Sequence, residues 1–213
     1  DPPSFYRLLR ESSGFPTTSQ PTVASFLERF SDVSQDKDGV VAVLVSDELS
    51  GTLDSARAAA EKLPDIPIVL VDSRAASMQL GFTVLAAARA AMEGAGLEEV
   101  AAEARALVGR AHVYFMVDTL EYLHRGGRVD WIRAMVGTLL RIKPIVEVRW
   151  SEVNLLERGR TWKRSLDRLM EMVQELGPLE RAIVLHTNAP DKANQVADRL
   201  QATDPGWDRL IGQ

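Results

Sequence analysis

Cysteine is absent from this chain, which excludes thiol nucleophiles, disulfides and cysteine-based zinc sites. Histidine is scarce, with only His112, His124 and His186 present. A multi-histidine metal centre would need nearly all three, and their spacing fits none of the usual ligand patterns. No apolar run approaches the ~20 residues that span a bilayer. The opening Asp1-Pro2-Pro3 has nothing of a secretory leader, so a cytoplasmic location is expected. Phosphate-binding fingerprints are missing too: Gly94-Ala95-Gly96 lacks a third glycine and falls between helical stretches, and neither a Walker sequence nor a Gly-x-Ser-x-Gly elbow occurs. A basic excess is also lacking. With 25 Lys+Arg against 30 Asp+Glu, the net charge is −5, and nucleic acid is not an expected partner. No metal or cofactor is expected.

What is present suits a folded α/β protein. The 213 residues, 46% of them hydrophobic, suffice for one large domain or two small ones with a real core. Val40–Val45, Ile66–Val71 and Val113–Val117 are short β-branched runs, as expected of strands buried on both faces. Between them lie Ala-rich helical stretches at Gly51–Leu63, Ala76–Glu93 and Leu97–Val108. Strand, helix, strand, helices, strand reads as a parallel α/β domain. The second half differs. Leu120–His124 and Trp131–Leu140 read as short helices, and Lys143–Val148 and Glu152–Glu157 as paired strands whose turn lacks an Asn-Gly signal. Thr161–Leu176 is an amphipathic helix, with Leu166, Leu169, Met170, Val173 and Leu176 at helical spacing. Ala182–His186 reads as a strand and Pro190–Leu200 as a helix opened by proline. The expected division is 1–122 and 123–213.

Two hydroxyl clusters stand at helix starts. Thr17-Thr18-Ser19-Gln20-Pro21 precedes a helix expected over Pro21–Phe30, which places Ser19 or Gln20 near its N-cap. Leu49-Ser50-Gly51-Thr52 follows the first strand. Hydroxyls beside free backbone N–H groups at a helix N-terminus suit a carboxylate or phosphate, and a glycine there allows close backbone approach. Plain helix capping explains the same residues. Asp72-Ser73-Arg74 ends the second strand, where open α/β sheets place ligands, though local turn chemistry accounts for Asp72. No sequence pattern marks His112 or His124 as a base, and His186 reads as a packed or capping residue. A serine hydrolase built on Ser50, His186 and an aspartate is conceivable, but nothing in the sequence assembles it. Charge is uneven: Glu121 to Arg168 carries a net +5 and the remainder −10. Arg125, Arg128, Arg158, Arg160, Lys163 and Arg164 make this stretch either a solvated face or a docking surface for an anionic group or acidic protein.

Taken in order, these motifs resemble the DegV family of bacterial fatty-acid-binding proteins. The resemblance rests on Thr17-Thr18-Ser19-Gln20-Pro21; Leu49-Ser50-Gly51-Thr52 with Ser55-Ala56; and Val71-Asp72-Ser73-Arg74 with Ser77-Met78. It continues through Val117-Asp118-Thr119-Leu120-Glu121-Tyr122-Leu123 into Arg125-Gly126-Gly127-Arg128, then Ile142-Lys143-Pro144-Ile145, Arg160-Thr161 with Lys163, and His186-Thr187-Asn188-Ala189-Pro190. It implies two α/β domains, the first with a mainly parallel sheet flanked by helices and the second with a mixed sheet, holding a fatty acid between them. It implies that Thr18, Ser19 and Ser50 hold the carboxylate, that Gly51 and Thr52 shape that loop, and that the acyl chain occupies an apolar tunnel. Phe115, Met116, Leu139 and Leu140 are candidate lining residues, each also suited to ordinary core packing. It further implies a carrier, not an enzyme, that presents the acid to a separate fatty acid kinase serving phospholipid synthesis, with Arg125, Arg128 and Arg160 at the docking surface. Family chains begin with a further strand leading to an Asp-Ser loop and end with a histidine and a Gly-Pro-Gly segment. Neither pattern falls within these residues, and His186 is not the counterpart of that histidine. Trp162 departs from the more basic family pattern.

Overall fold

The computed structural model describes residues 1–129, 142–203 and 211–212. The helix expected over Trp131–Leu140, with Leu139 and Leu140, lies outside them. The elements are α1 (Pro2–Glu11), α2 (Val23–Val33), β1 (Val40–Leu44), α3 (Thr52–Ala60), β2 (Ile68–Asp72), α4 (Ser77–Met92), α5 (Leu97–Leu107), β3 (Val113–Met116) and α6 (Glu121–Gly126). They continue with β4 (Lys143–Arg149), β5 (Glu152–Gly159), α7 (Trp162–Glu175), β6 (Val184–Leu185), α8 (Pro190–Thr203) and β7 (Ile211–Gly212). The architecture is mixed α/β, as the sequence pattern implies. The chain gathers into two compact units, neither a contiguous stretch. One comprises Asp1–Thr17, Met116–Ile145 and Leu156–Gln213; the other comprises Thr18–Phe115 and Val146–Leu155.

In the second of these units, β1 and β2 pair in parallel from Val40↔Ile68 to Leu44↔Asp72. Period-two alternation sends Val41, Val43, Val69 and Val71 to one face, against Ala87, Val100, Ala101 and Ala104 of α4 and α5. Val40, Ala42, Leu44, Ile68 and Leu70 go to the other, against Phe30, Ala56 and Ala59 of α2 and α3. Small alanines on the helices let them lie close to the strands. Both strand faces are therefore apolar and helix-covered, as expected. All five residues of β1 are nevertheless only half-buried, because among the described residues this sheet has two strands and β1 has one neighbour.

The register fixes where the loops go. Leu44 and Asp72 end side by side, so the loops carrying Ser46–Gly51 and Ser73–Ala76 leave the same edge. They are bound together there. Ser46 N–H donates to the Ala75 carbonyl at 3.0 Å and Ser73 N–H to the Leu44 carbonyl at 3.1 Å. The buried Ser73 hydroxyl donates to that same Leu44 carbonyl at 2.6 Å.

A three-stranded sheet has the order β3-β4-β5. The β4–β5 turn is Trp150-Ser151, with φ of 52° and 72°. Two consecutive positive φ values make the turn that matches strand twist, normally the province of Asn-Gly. Here packing replaces the usual residues. The Ser151 N–H donates to the Arg74 carbonyl at 3.1 Å. The Trp150 ring lies over Gly109, where a Cβ would stand 2.3 Å from Cη2. In the other unit, α7 buries Ser165, Leu166, Leu169 and Met170. Ala193 and Ala197 of α8 pack on Val184 of β6, which pairs in parallel with β7. Two elements lack a sequence-based expectation. In α1, Asp1 Oδ1 caps the Ser4 N–H at 2.8 Å and prolines fill the first turn. The other is the two-residue β7.

Candidate functional site

The second hydroxyl cluster sits where β1 hands over to α3. The Ser46 carbonyl accepts the Leu49 and Ser50 N–H groups at 3.2 and 3.1 Å, which curls the chain so that Ser50 meets the helix start. Gly51 is the N-cap of helix α3 and supplies no side-chain cap. Ser50 Oγ and Thr52 Oγ1 lie 2.7 Å apart, and the Thr52 N–H approaches Ser50 Oγ at 3.3 Å. Ser50 Oγ thus takes the first N–H of the helix, while the cap position itself, Gly51, offers no side chain. The two hydroxyls pair with each other at the positive end of a nine-residue helix, ready to turn toward an anion.

The first cluster corrects its expectation. Helix α2 starts at Val23 and Thr22 is its cap, accepting the Ser25 N–H at 3.1 Å. Pro21 lies outside the helix, and neither Ser19 nor Gln20 caps it. The physical reason is that Thr22 offers a β-region hydroxyl at the right distance from N3, so the helix starts one residue after it. Thr18, Ser19 and Gln20 form an exposed segment instead. Among the described residues, Thr18 and Ser19 make no side-chain hydrogen bond. Gln20 joins the two motifs: its carboxamide lies over Gly51, where a Cβ would stand 2.9 Å from Nε2. Glycine at 51 thus makes room for the first motif to reach the second.

Asp72 does the turn chemistry expected of it, accepting the Arg74 N–H at 2.8 Å. Burial pushes its carboxyl above the usual range. The Arg74 N–H opposes that rise, while the charge of Asp47 and a hydrogen bond with it add to it. Ser50 makes no hydroxyl–imidazole pair in its own unit, where the one histidine, His112, places Nδ1 3.4 Å from Glu147 Oε1. That part-buried pair joins the start of β3 to β4 across 35 sequence positions, and no local pattern announces it. His186 is a capping residue as expected, with Nδ1 accepting the Ala189 N–H at 3.4 Å just before α8.

Arg125, Arg128 and Arg160 occupy the other unit, and all three are exposed. Arg125 lies on α6 with its guanidinium 5.2 Å from the centre of the Phe15 ring and 3.4 Å from Glu121. Phe15 in turn stacks on Tyr122, centroids 6.1 Å apart. Gly127 closes α6 at φ 72°, and Arg128 folds back to donate to the Gly126 carbonyl. Arg160 directly precedes Thr161, the cap of α7. Asp118, within the Val117–Leu123 motif, is a charge hub. Its Oδ1 lies 2.9 Å from Lys143 Nζ and its Oδ2 pairs with Lys192 Nζ. Hydrogen bonds from Lys192 and then Lys143 hold the carboxyl below its ordinary value. A depressed folded value stabilises the fold above the unfolded value of about 3.9 and is lost as pH falls through the folded one. Urea midpoints of the parent and of Asp118→Asn should differ by a constant amount from pH 7 to about pH 5 and converge below about pH 4. Among the described residues no helix is long and apolar enough to cross a membrane, and no group of three or more acidic or histidine side chains could hold a metal.

The sequence profile of the DegV family, described as uncharacterised, matches residues 1–211. A DegV domain-containing protein of Clostridium perfringens is 35% identical over 221 residues, spanning 100% of this chain and 77% of that one. The DegV protein of Bacillus subtilis is 32% identical, over 95% of this chain and 73% of its own. Among solved structures, a fatty-acid-binding DegV family protein from Thermus thermophilus superposes with a TM-score of 0.89 at 31% identity, covering 100% of this chain and 76% of that one. The fatty-acid-binding DegV of Bacillus subtilis gives 0.86 at 30% identity, over 99% and 76%.

Proposed function

Because the chain belongs to the DegV family, we propose that it is a carrier that binds a long-chain fatty acid and presents it to a separate fatty acid kinase. The observation that carries the reading is the Ser50–Thr52 hydroxyl pair on an α3 N-terminus without a side-chain cap. A carboxylate there receives charge-assisted hydrogen bonds and the favourable end of the helix dipole, with no buried cation needed. Thr18 and Ser19 complete the binding loop, brought to it by Gln20 on Gly51. The acyl chain lies in an apolar tunnel, and since each buried methylene contributes about 0.8 kcal/mol, the tail supplies most of the affinity. Mass spectrometry of protein purified from bacteria and then denatured should release a long-chain fatty acid; an empty protein, or a sugar phosphate in its place, would overturn the reading.

Presentation is the task of Arg125, Arg128 and Arg160, whose guanidiniums suit a phosphate or an acidic partner surface. The kinase supplies the phosphoryl chemistry, and the carrier works in the cytoplasm as part of phospholipid synthesis. Alanine at Arg128 or Arg160 should slow acyl-phosphate formation by a bacterial fatty acid kinase about tenfold or more while leaving the bound fatty acid in place. Unchanged transfer rates would remove the docking role.

A further inference from the structure

The docking arginines stand on two segments, α6 with its C-terminal turn and the entry to α7. A run of side-chain contacts joins these segments. Asp118 precedes α6 by three residues. It holds Lys143 at the start of β4, whose ammonium also approaches the Asp118 carbonyl at 3.4 Å. Its second oxygen holds Lys192, in the first turn of α8. The Lys192 ammonium lies 4.8 Å from the centre of the Trp162 indole. Trp162 is the first residue of α7, two positions after Arg160, and its Nε1–H donates to Gln195 Oε1 on α8 at 2.9 Å. Both lysine side chains are only about one-third exposed, at 32% and 34%, so neither is a fully solvated surface charge.

Isolated surface ion pairs order little, but here one carboxylate is shared by two cations, and one cation is shared by a carboxylate and an aromatic face. Each shared group is ordered once for two contacts. The contacts lead from the segment entering α6 through α8 to α7. We infer that Asp118, Lys192 and Trp162 are positioning residues that hold Arg125 and Arg128 at a fixed spacing from Arg160, so that the three guanidiniums meet an anionic partner as one preorganised array. This rests on the docking reading above.

The absence of cysteine makes the test direct. In the full chain, nitroxides on His124→Cys and Arg164→Cys, both exposed positions, report the spacing of the two segments by double electron–electron resonance. The parent should give one narrow distance. Asp118→Asn, Lys192→Met and Trp162→Leu should each broaden the distribution about twofold, with far-UV circular dichroism confirming that each is folded. Lys192→Arg keeps both the charge and the cation–ring contact and should stay narrow. Narrow distributions in all variants would overturn the inference. So would broadening by Asp118→Asn but not by Trp162→Leu, which would trace the restraint to Lys143 alone. Because the readout involves no kinase, its failure is distinct from failure of the docking reading, which shows instead as normal transfer by the arginine variants.

Discussion

Replacing Ser50 with alanine is expected to weaken long-chain fatty acid binding by about 10- to 100-fold, the effect of losing one hydrogen bond to a charged group. The geometry confines the damage to binding. Ser50 Oγ is bonded to Thr52 Oγ1, and its one backbone donor among the described residues is the Thr52 N–H at 3.3 Å, so removing it frees a hydroxyl that the ligand can still use. The urea midpoint of the ligand-free protein should hardly move. Thr52→Val, which keeps the shape and removes the second hydroxyl, should act in the same direction more weakly. Displacement titration with a fluorescent fatty acid reads both variants. Affinity within twofold of the parent for Ser50→Ala would remove Ser50 from the carboxylate site.

The largest effect on stability is expected at Gly159, the last residue of β5. A Cβ there would lie 1.9 Å from Ser165 Oγ, 3.1 Å from Ser165 Cβ and 3.2 Å from the Lys143 carbonyl. Ser165 is fully buried on α7, and its hydroxyl donates to that carbonyl at 2.6 Å. The methyl of Gly159→Ala cannot be accommodated without driving the hydroxyl off its acceptor, so overpacking and a lost buried hydrogen bond fall together. The cost should be about 2–4 kcal/mol, read as a lower urea midpoint at unchanged slope. Ser165→Ala alone should cost less, since it removes one buried hydrogen bond without a clash. In the double variant the two costs should fall short of adding, because the first clash has been removed. Strict additivity would show that the two residues do not press on one another.

Much of this was legible in the residues. The β-branched runs at 40–45, 66–71 and 113–117 became strands, and the Ala-rich stretches became the helices that cover β1 and β2. The Ser50 loop falls at a strand-to-helix junction because apolar periodicity switches from two to 3.6 there. The Trp150-Ser151 turn was not legible, because its positive φ values are held by packing on Gly109 and a bond to Arg74, neither visible in a local pattern. Helix α1 escaped although Phe5, Leu8 and Leu9 fall at helical spacing and Asp1 and the prolines carry the start signal, because this stripe is only three residues long. His112–Glu147 and Asp118–Lys143–Lys192 are contacts over 25 to 74 positions, and spacing rules reach only a few residues. Gln20 falls in a capping pattern, but its carboxamide lies across Gly51 instead.

The interleaving of the two units bears on how the chain is made. The unit that holds Ser50 takes in Val146–Leu155, and the unit that holds the arginines draws on Asp1–Thr17 and on residues beyond Leu156. At ribosomal speeds of about 5–20 residues per second, the roughly 140 residues separating those last two segments take on the order of 10–30 s to appear. Throughout that interval Phe5 and Leu8 of α1, each about half-exposed or more even in the finished fold, await their unit's remaining residues. Truncated or stalled chains should therefore be strong clients for chaperones that grip short aromatic and aliphatic segments.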